Sequence, residues 1–426
     1  MDIIYLDFAK AFDLVDVSIL LNKIKEMGVK GKLLSWITTF LNNRTHKVRV
    51  NNILSKEREV TSGVPQGSVL GPLLFLTYIQ DLGSDVNNSL IRILKFVDDS
   101  KVMASVLTDD DIIELQSNLE KIYNWAGMNN MRWNDKKFQL LRSGHNRNLI
   151  EETSVFSPDF ENIIESKPVI KDLGILVDST LRYRDQITKV IKKAIQKSSW
   201  ILRTFHTRKP TFLRKIWKSL VQCHIDYGSV LWAPVSNPKD LRDLEGPLRT
   251  FTRKGYGMYE KSYWERLKIF KLTSIQRRNE RYKLLYIWKS LNGYVPDLNL
   301  KWKNEPSNRS GPVLEAKLVK GSNDTIKNLC RNSLLNFGVM MYNQLPVSIR
   351  TFKGKLSEFK SLLDRCLCLY PDQPATESLT PSCKSLMGKP SNSLLDWMRS
   401  IRVSDDDFLP MGNSKTVHLE EAQPSL

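Results

Sequence analysis

Ile91-Arg92-Ile93-Leu94-Lys95-Phe96-Val97-Asp98-Asp99-Ser100-Lys101-Val102-Met103 is an apolar, β-prone run broken by two adjacent acids and then resumed. Strands are poor hosts for Asp, and neighbouring carboxylates repel each other. The pair is tolerated where a divalent cation absorbs the charge or where it sits at a solvated turn. Taken alone, the stretch fits a solvated hairpin tip better. Strand side chains alternate, so both acids reach one site only if the chain turns at the pair. A third acid must then arrive on a strand that pairs with this hairpin.

Ile3-Ile4-Tyr5-Leu6-Asp7-Phe8 reads as a buried strand ending in Asp7, followed by Ala9-Lys10-Ala11-Phe12-Asp13. Between the two acidic sites lies Thr61-Ser62-Gly63-Val64-Pro65-Gln66-Gly67-Ser68-Val69-Leu70-Gly71-Pro72, a Gly/Pro-rich loop. It opens an apolar helix expected over 69–82 and buried nearly all round. Gly63, Gly67 and Gly71 allow close backbone approach, Pro65 stiffens the loop, and Gln66 offers a donor and an acceptor. By itself the loop reads equally well as a loop-to-helix turn with an exposed Gln.

In this order the segments YLDFAKAFD, SGVPQGSVLGP and FVDD resemble motifs A, B and C of reverse transcriptases. The wording is most similar to the non-LTR, LINE-type retrotransposon enzymes, jockey-like ones in particular, over about residues 1–374. The resemblance implies an α+β fold: a right-hand polymerase palm (an antiparallel sheet with helices on one face), partial fingers, a helical thumb and a helical C-terminal region. It implies an RNA-directed DNA polymerase, in which a primer 3′-hydroxyl attacks a dNTP with the help of two Mg²⁺ ions, or Mn²⁺ in their place. RNA template, DNA primer and dNTPs are the implied partners.

Carried over by motif, Asp7 and Asp98 ligate both metals, Asp99 supports them, and the Phe8 carbonyl completes a metal site. Phe12, five residues after Asp7, stands at the steric-gate position. Gln66 and Gly67 contact the incoming nucleotide or template base, and Lys137 is the positional match to the motif D lysine. From the residues alone, Phe12 reads as a core aromatic, Asp13 as a helix cap or surface acid, and Lys136-Lys137 as a solvated pair. Motif C of the family usually reads FADD; Val97 in place of the small residue is expected to be tolerated. The family's leading finger strands and its endonuclease have no counterpart ahead of motif A. The resemblance is therefore to an N-terminally truncated member, with a folded palm and weak or absent polymerase activity expected. A non-catalytic nucleic-acid-binding remnant of a mobile-element protein is the alternative, and a two-metal nuclease a third reading.

The expected organisation is a palm with partial fingers over 1–185 (fingers about 14–60), a basic helical thumb over 186–235, a helical region over 236–370 and a disordered tail over 371–426. Asp16 can cap a helix running to residue 27, a second helix spans 33–41, and 45–50 with 53–60 form a hairpin about Asn51-Asn52. Thr108 before three aspartates suits a helix start, where acids meet the positive end of the dipole. Residues 169–177 form a short sheet element that resembles motif E, the primer grip; without a ligand it reads as an edge hairpin. From 189 to 218 there are ten Lys/Arg and no acid, interleaved with apolar residues at helical spacing. Lys189, Lys192, Lys193, Lys197, Arg203, Arg208 and Lys209 are the expected phosphate contacts. Arg277, Arg278, Arg281 and Lys283 alternate with apolar residues in a stretch that serves either nucleic-acid binding or packing. Residues 307–323 read as a loop, and a short helix is expected at 394–401.

The chain's formal charge of +18 over 426 residues favours a polyanionic partner. No apolar run approaches the about 18 residues a membrane span needs. Five cysteines without C-x-x-C spacing argue against zinc and for reduced thiols, hence an intracellular setting in nucleus, cytoplasm or both.

Overall fold

In β1 (Asp2–Asp7), Ile4 and Leu6 lie two residues apart and are buried on one face of a sheet. The computed structural model describes residues 1–86, 90–144, 155, 163–303, 311–316, 324–374 and 392–407, and the chain divides into two units, 1–181 and 182–426. In the first unit β1 is flanked by β7 (Asp99–Ala104) and β8 (Gln139–Arg142), with β6 (Ile91–Phe96) outside β7. All neighbours are antiparallel, in the order β6-β7-β1-β8. This is the palm sheet that the sequence predicted.

Among the described residues of this unit, helices pack on the face carrying Ile4 and Leu6. They are α1 (Val17–Glu26), α3 (Gly71–Tyr78) and α4 (Asp109–Met128), contributing Leu20, Phe75, Tyr78, Leu119 and Ile122 to one core. The helix α2 (Gly31–Leu41) follows α1. Asp16 caps α1 by accepting from the amides of Ser18 and Ile19, and Thr108 closes a capping box with Asp111 on α4. The three aspartates there stay with the helix dipole. Next, β2 (Arg44–His46) pairs with β5 (Arg58–Val60), and β3 (Arg49–Val50) with β4 (Ile53–Leu54). Asn51 and Asn52 turn that hairpin at φ +47° and +66°, which Asn tolerates.

One expectation about the Gly/Pro-rich segment fails. The helix is shorter than 69–82 and is not buried all round: Leu73 and Leu76 are exposed and Val69 is 94% exposed. Its mean composition is apolar, but only Gly71, Leu74, Phe75 and Tyr78 turn inward. The loop ahead of it is sewn to the connection between β1 and α1 by backbone bonds from the Gly63 amide to Val15 O and from the Val64 amide to Phe12 O, at 2.8 and 2.9 Å. Gly63 lies at φ +84°, and a Cβ there would meet Phe12 O at 2.8 Å and Asp13 Cα at 2.9 Å. The hairpin of β9 (Val169–Asp172) and β10 (Ile175–Asp178) completes this unit.

The second unit is helical. α5 (Arg184–Thr204), α6 (Pro210–Trp217), α7 (Pro238–Arg253) and α8 (Tyr263–Phe270) lead to α9 (Ile275–Leu291), whose polar residues are buried. Arg278 binds Asp226, and Arg281 grips both oxygens of Asp364 at 2.5 and 2.7 Å. Arg277 donates to the carbonyls of Tyr370 and Pro371. Of the two readings left open for these cations, packing is the one observed. Glu245 receives the amides of Ile275 and Gln276 at the start of α9 together with the Tyr263 hydroxyl. Within the stretch expected as a tail, the short helix expected at 394–401 is observed and belongs to this core: α11 (Leu394–Ser400) buries Leu394 and Trp397 beside Phe359 and Leu363 of α10 (Leu356–Leu367), while residues 375–391 and 408–426 lie outside the described residues. Most of the loop read at 307–323 lies outside the described residues, as does Cys383.

Two measurements check this account. Gly63→Ala should lower stability by about 2 kcal/mol or more, whereas Gly67→Ala, at φ +79° in open space, should cost about 1 kcal/mol; denaturant titration separates them. Burial pushes the carboxyls of Glu245 and Glu280 up to about 7 and the Lys283 ammonium down to about 8. The two acids hold protons more tightly folded than unfolded, so stability falls as pH rises from the ordinary glutamate range toward 7. Lys283 acts oppositely, and stability recovers above 8. Glu280→Gln should flatten the fall between pH 5 and 7 by up to ~1.4 kcal/mol per pH unit, read from melting temperature against pH.

Candidate active site

The antiparallel register sets Asp7 directly opposite Asp99. Opposed residues in such a pair project from the same face, about 5 Å apart at Cβ. That face is the open one, away from the helices, where Tyr5, Lys101, Leu94 and Gln139 also emerge. Val97 and Asp98 form the two-residue turn between β6 and β7, because Phe96 pairs with Asp99. All three expected carboxylates therefore gather at one end of the sheet.

Val97 adopts φ +56°, a conformation that favours glycine or asparagine and is strained for a β-branched residue. Its tolerance was expected because both acids are kept, with the added methyl groups as the cost; the cost arises in the backbone instead, by about 1–2 kcal/mol. Burial, with the charges of Asp98, Asp7 and Asp172 beside it, raises the Asp99 carboxyl above the usual carboxylate range, while Lys101 opposes the rise.

Lys137, in the short turn Asp135–Lys137 before β8, places Nζ 2.7 Å from Asp7 Oδ2. That hydrogen bond and the Asp7 charge raise its ammonium above the ordinary lysine range. The doublet Lys136-Lys137 is thus not merely solvated: its second member supplies the counter-charge that a bound cation would. Three hard carboxylates suit Mg²⁺, which keeps several waters and needs few protein ligands. Among the described residues no three His, Cys, Asp or Glu side chains already converge at metal-holding spacing.

Phe8 is buried and stacks on Trp133, with ring centroids 3.8 Å apart. Phe12 is half-buried and stacks on Phe75 at 4.6 Å, so its ring is also a core contact. Gln66 Nε2 donates to Asp13 Oδ1 at 2.7 Å, and Gly67 follows in the left-handed region. Asp13 is therefore not a helix cap, a role that Asp16 takes, but an anchor for the motif B glutamine. The basic set lies in the second unit. Lys189, Lys192, Lys193, Arg203 and Lys209 are exposed, and Lys197 lies over the Trp200 ring. Arg208 has another use, since its guanidinium donates to the carbonyls of Leu202 and Phe205 at the end of α5.

Sequence reading missed a second polar group on the open face. Asp172, at the end of β9, accepts from Lys101 Nζ at 2.5 Å and from the Tyr5 hydroxyl at 3.4 Å. Together they hold the β9–β10 hairpin against the palm and line, with Asp7, Asp99 and Lys137, a cavity of about 330 Å³. The period-2 rule could have found Lys101 and Tyr5, each two residues from an acid on the same face. Nothing local marks Asp172.

The crowding generates a prediction. Asp99→Asn removes the charge held at a raised carboxyl, so at pH 7 it should raise the melting temperature slightly, by about 1–2 °C. Added Mg²⁺ should stabilise the parent thermally and the same variant less; scanning calorimetry with and without the ion reads both.

Residues 3–177 match the family model described as Reverse transcriptase (RNA-dependent DNA polymerase). The chain is 28% identical over 240 residues to the probable RNA-directed DNA polymerase from transposon X-element of Drosophila melanogaster, covering 54% of this chain and 25% of that protein. It is 26% identical over 282 residues to the RNA-directed DNA polymerase from mobile element jockey of the same fly, covering 63% of this chain and 30% of the relative. The chain thus spans about a quarter to a third of the length of these relatives. Among solved structures, apo telomerase from Candida tropicalis overlaps 69% of this chain and 51% of its own, at 11% identity and a TM-score of 0.37. The motif order, the antiparallel palm and these sequence matches agree: residues 3–177 match the reverse transcriptase family and are similar to the RNA-directed DNA polymerases of non-LTR, LINE-type elements.

Proposed function

We propose that this chain carries out RNA-directed DNA synthesis, extending a DNA primer on an RNA template with dNTPs. The observation that carries the reading is the β1–β7 register, which sets Asp7 against Asp99 with Asp98 on the adjoining turn. In this reading Asp7 and Asp98 hold two Mg²⁺ ions, or Mn²⁺ in their place, with Asp99 and the Phe8 carbonyl in support. Cations bound there neutralise charge on the attacking and leaving oxygens.

The chain's own residues do the positioning. Stacking on Phe75 holds Phe12 rigid, as suits a wall that excludes a ribose 2′-hydroxyl. Gln66, tethered through Asp13, presents its amide beside Gly67, where the backbone leaves room for a nucleotide or template base. Lys137 is charged at any physiological pH and suits a triphosphate once divalent cations take over its partner Asp7. The β9–β10 hairpin, clamped through Asp172, serves as primer grip. Residues 186–235 serve as the thumb, where Lys189, Lys192, Lys193, Lys197, Arg203 and Lys209 give a sequence-independent, salt-sensitive hold on phosphates. The setting for such work is the nucleus, the cytoplasm or both.

One observation favours a second reading, a non-catalytic nucleic-acid binder: the Lys137 ammonium already satisfies Asp7. Primer extension on an RNA template with Mg²⁺ decides between them. The chain should incorporate dNTPs weakly and Asp98→Ala should fall to background; equal incorporation by both overturns the catalytic reading.

A further inference from the structure

Between α7 and α8 runs Lys254-Gly255-Tyr256-Gly257-Met258-Tyr259-Glu260-Lys261. Met258 is buried, while Tyr256 and Tyr259 on either side of it are 70% and 73% exposed. Single exposed aromatics are ordinary on protein surfaces. Two on one anchored loop, ringed by cations, are less so, because each leaves a large apolar face in water.

The loop is built to hold them there. Gly255 passes so close to Phe270 and Met258 that a Cβ would lie 2.9 and 3.0 Å from their side chains. Gly257 adopts φ +66°, a turn open to glycine at little cost. The Tyr256 amide donates to Arg208 O at 3.0 Å, tying the loop to the basic connection between α5 and α6, which continues into exposed Lys209. The Arg253 guanidinium lies 4.1 Å over the Tyr259 ring, and Lys254 and Lys261 are exposed beside the tyrosines. Among the described residues neither Arg253 nor Lys254 enters an ion pair.

Exposed aromatic faces interleaved with cations have a known physical complement. Unpaired bases stack on the rings while phosphates meet the positive groups, with little dependence on sequence. A duplex keeps its bases stacked internally and hides their faces, so it cannot use such a surface in this way. We propose that Tyr256 and Tyr259 form a stacking platform for single-stranded RNA, with Arg253, Lys254 and Lys261 engaging its phosphates. The choice of RNA rests on the reading of the chain as an RNA-directed polymerase, for which unpaired template is the strand at hand.

The test is fluorescence anisotropy of the full chain with a labelled oligouridylate of about 12 nucleotides, beside an RNA duplex and an oligothymidylate of equal length. The double variant Tyr256→Ala/Tyr259→Ala should weaken oligouridylate binding about tenfold or more and leave duplex binding unchanged. Tyr256→Phe/Tyr259→Phe should restore it, since phenylalanine keeps the stacking face. An unchanged melting temperature shows that the alanine variant is folded. Unchanged oligouridylate affinity in the alanine variant overturns the platform, as does equal loss for oligouridylate and duplex. Tighter binding of oligothymidylate than oligouridylate overturns the choice of RNA. Asp98→Ala should bind oligouridylate as the parent does, so failure of polymerisation and failure of the platform are read separately.

Discussion

Two like charges held across a strand pair are the constraint from which the first unit follows. Asp7 and Asp99 repel, and neither would choose its place if the sheet were free to shift. The register is fixed from the other face, where Ile4, Leu6, Val102 and Leu140 are buried under α1, α3 and α4. A slip by one residue would turn those side chains toward solvent. Apolar burial on one side thus enforces an electrostatically unfavourable arrangement on the other. Lys137 and Lys101 relieve part of it, and through Lys101 the β9–β10 hairpin is drawn to the same place.

Much of that unit was legible because its signals are local and periodic. The acid doublet forces a turn, the lone acid ends a run of buried strand residues, and Asn51-Asn52 and the Thr108 cap are named by backbone chemistry. Less legible were contacts that join distant segments. The Asp172–Lys101–Tyr5 group depends on how a hairpin lies over the sheet, and the bond from Gln66 to Asp13 on the approach of two loops. The exposed flank of α3 was misjudged because composition reports how apolar a helix is, not which of its sides has a neighbour. The cost of Val97 was judged by volume, whereas its backbone angle is what sets it apart.

The second unit shows where charge pattern misleads. The cations of α9 look like the basic run at 189–218, yet one set is buried and the other largely exposed. For Arg278 and Arg281 the difference lies in acids far away in sequence, Asp226 and Asp364, which no local window contains. Buried ion pairs of this kind contribute little net stability against apolar replacements, but removing one partner is costly because it strands the other charge.

Mutational drift in this helix is therefore channelled. Loss of Asp364 alone leaves Arg281 stranded, and loss of Asp226 alone does the same to Arg278. Concerted exchange of both members for apolar groups escapes that penalty. Over evolutionary time the pairs 226–278 and 281–364 should covary, while exposed lysines such as Lys192 and Lys193 wander independently of any one neighbour.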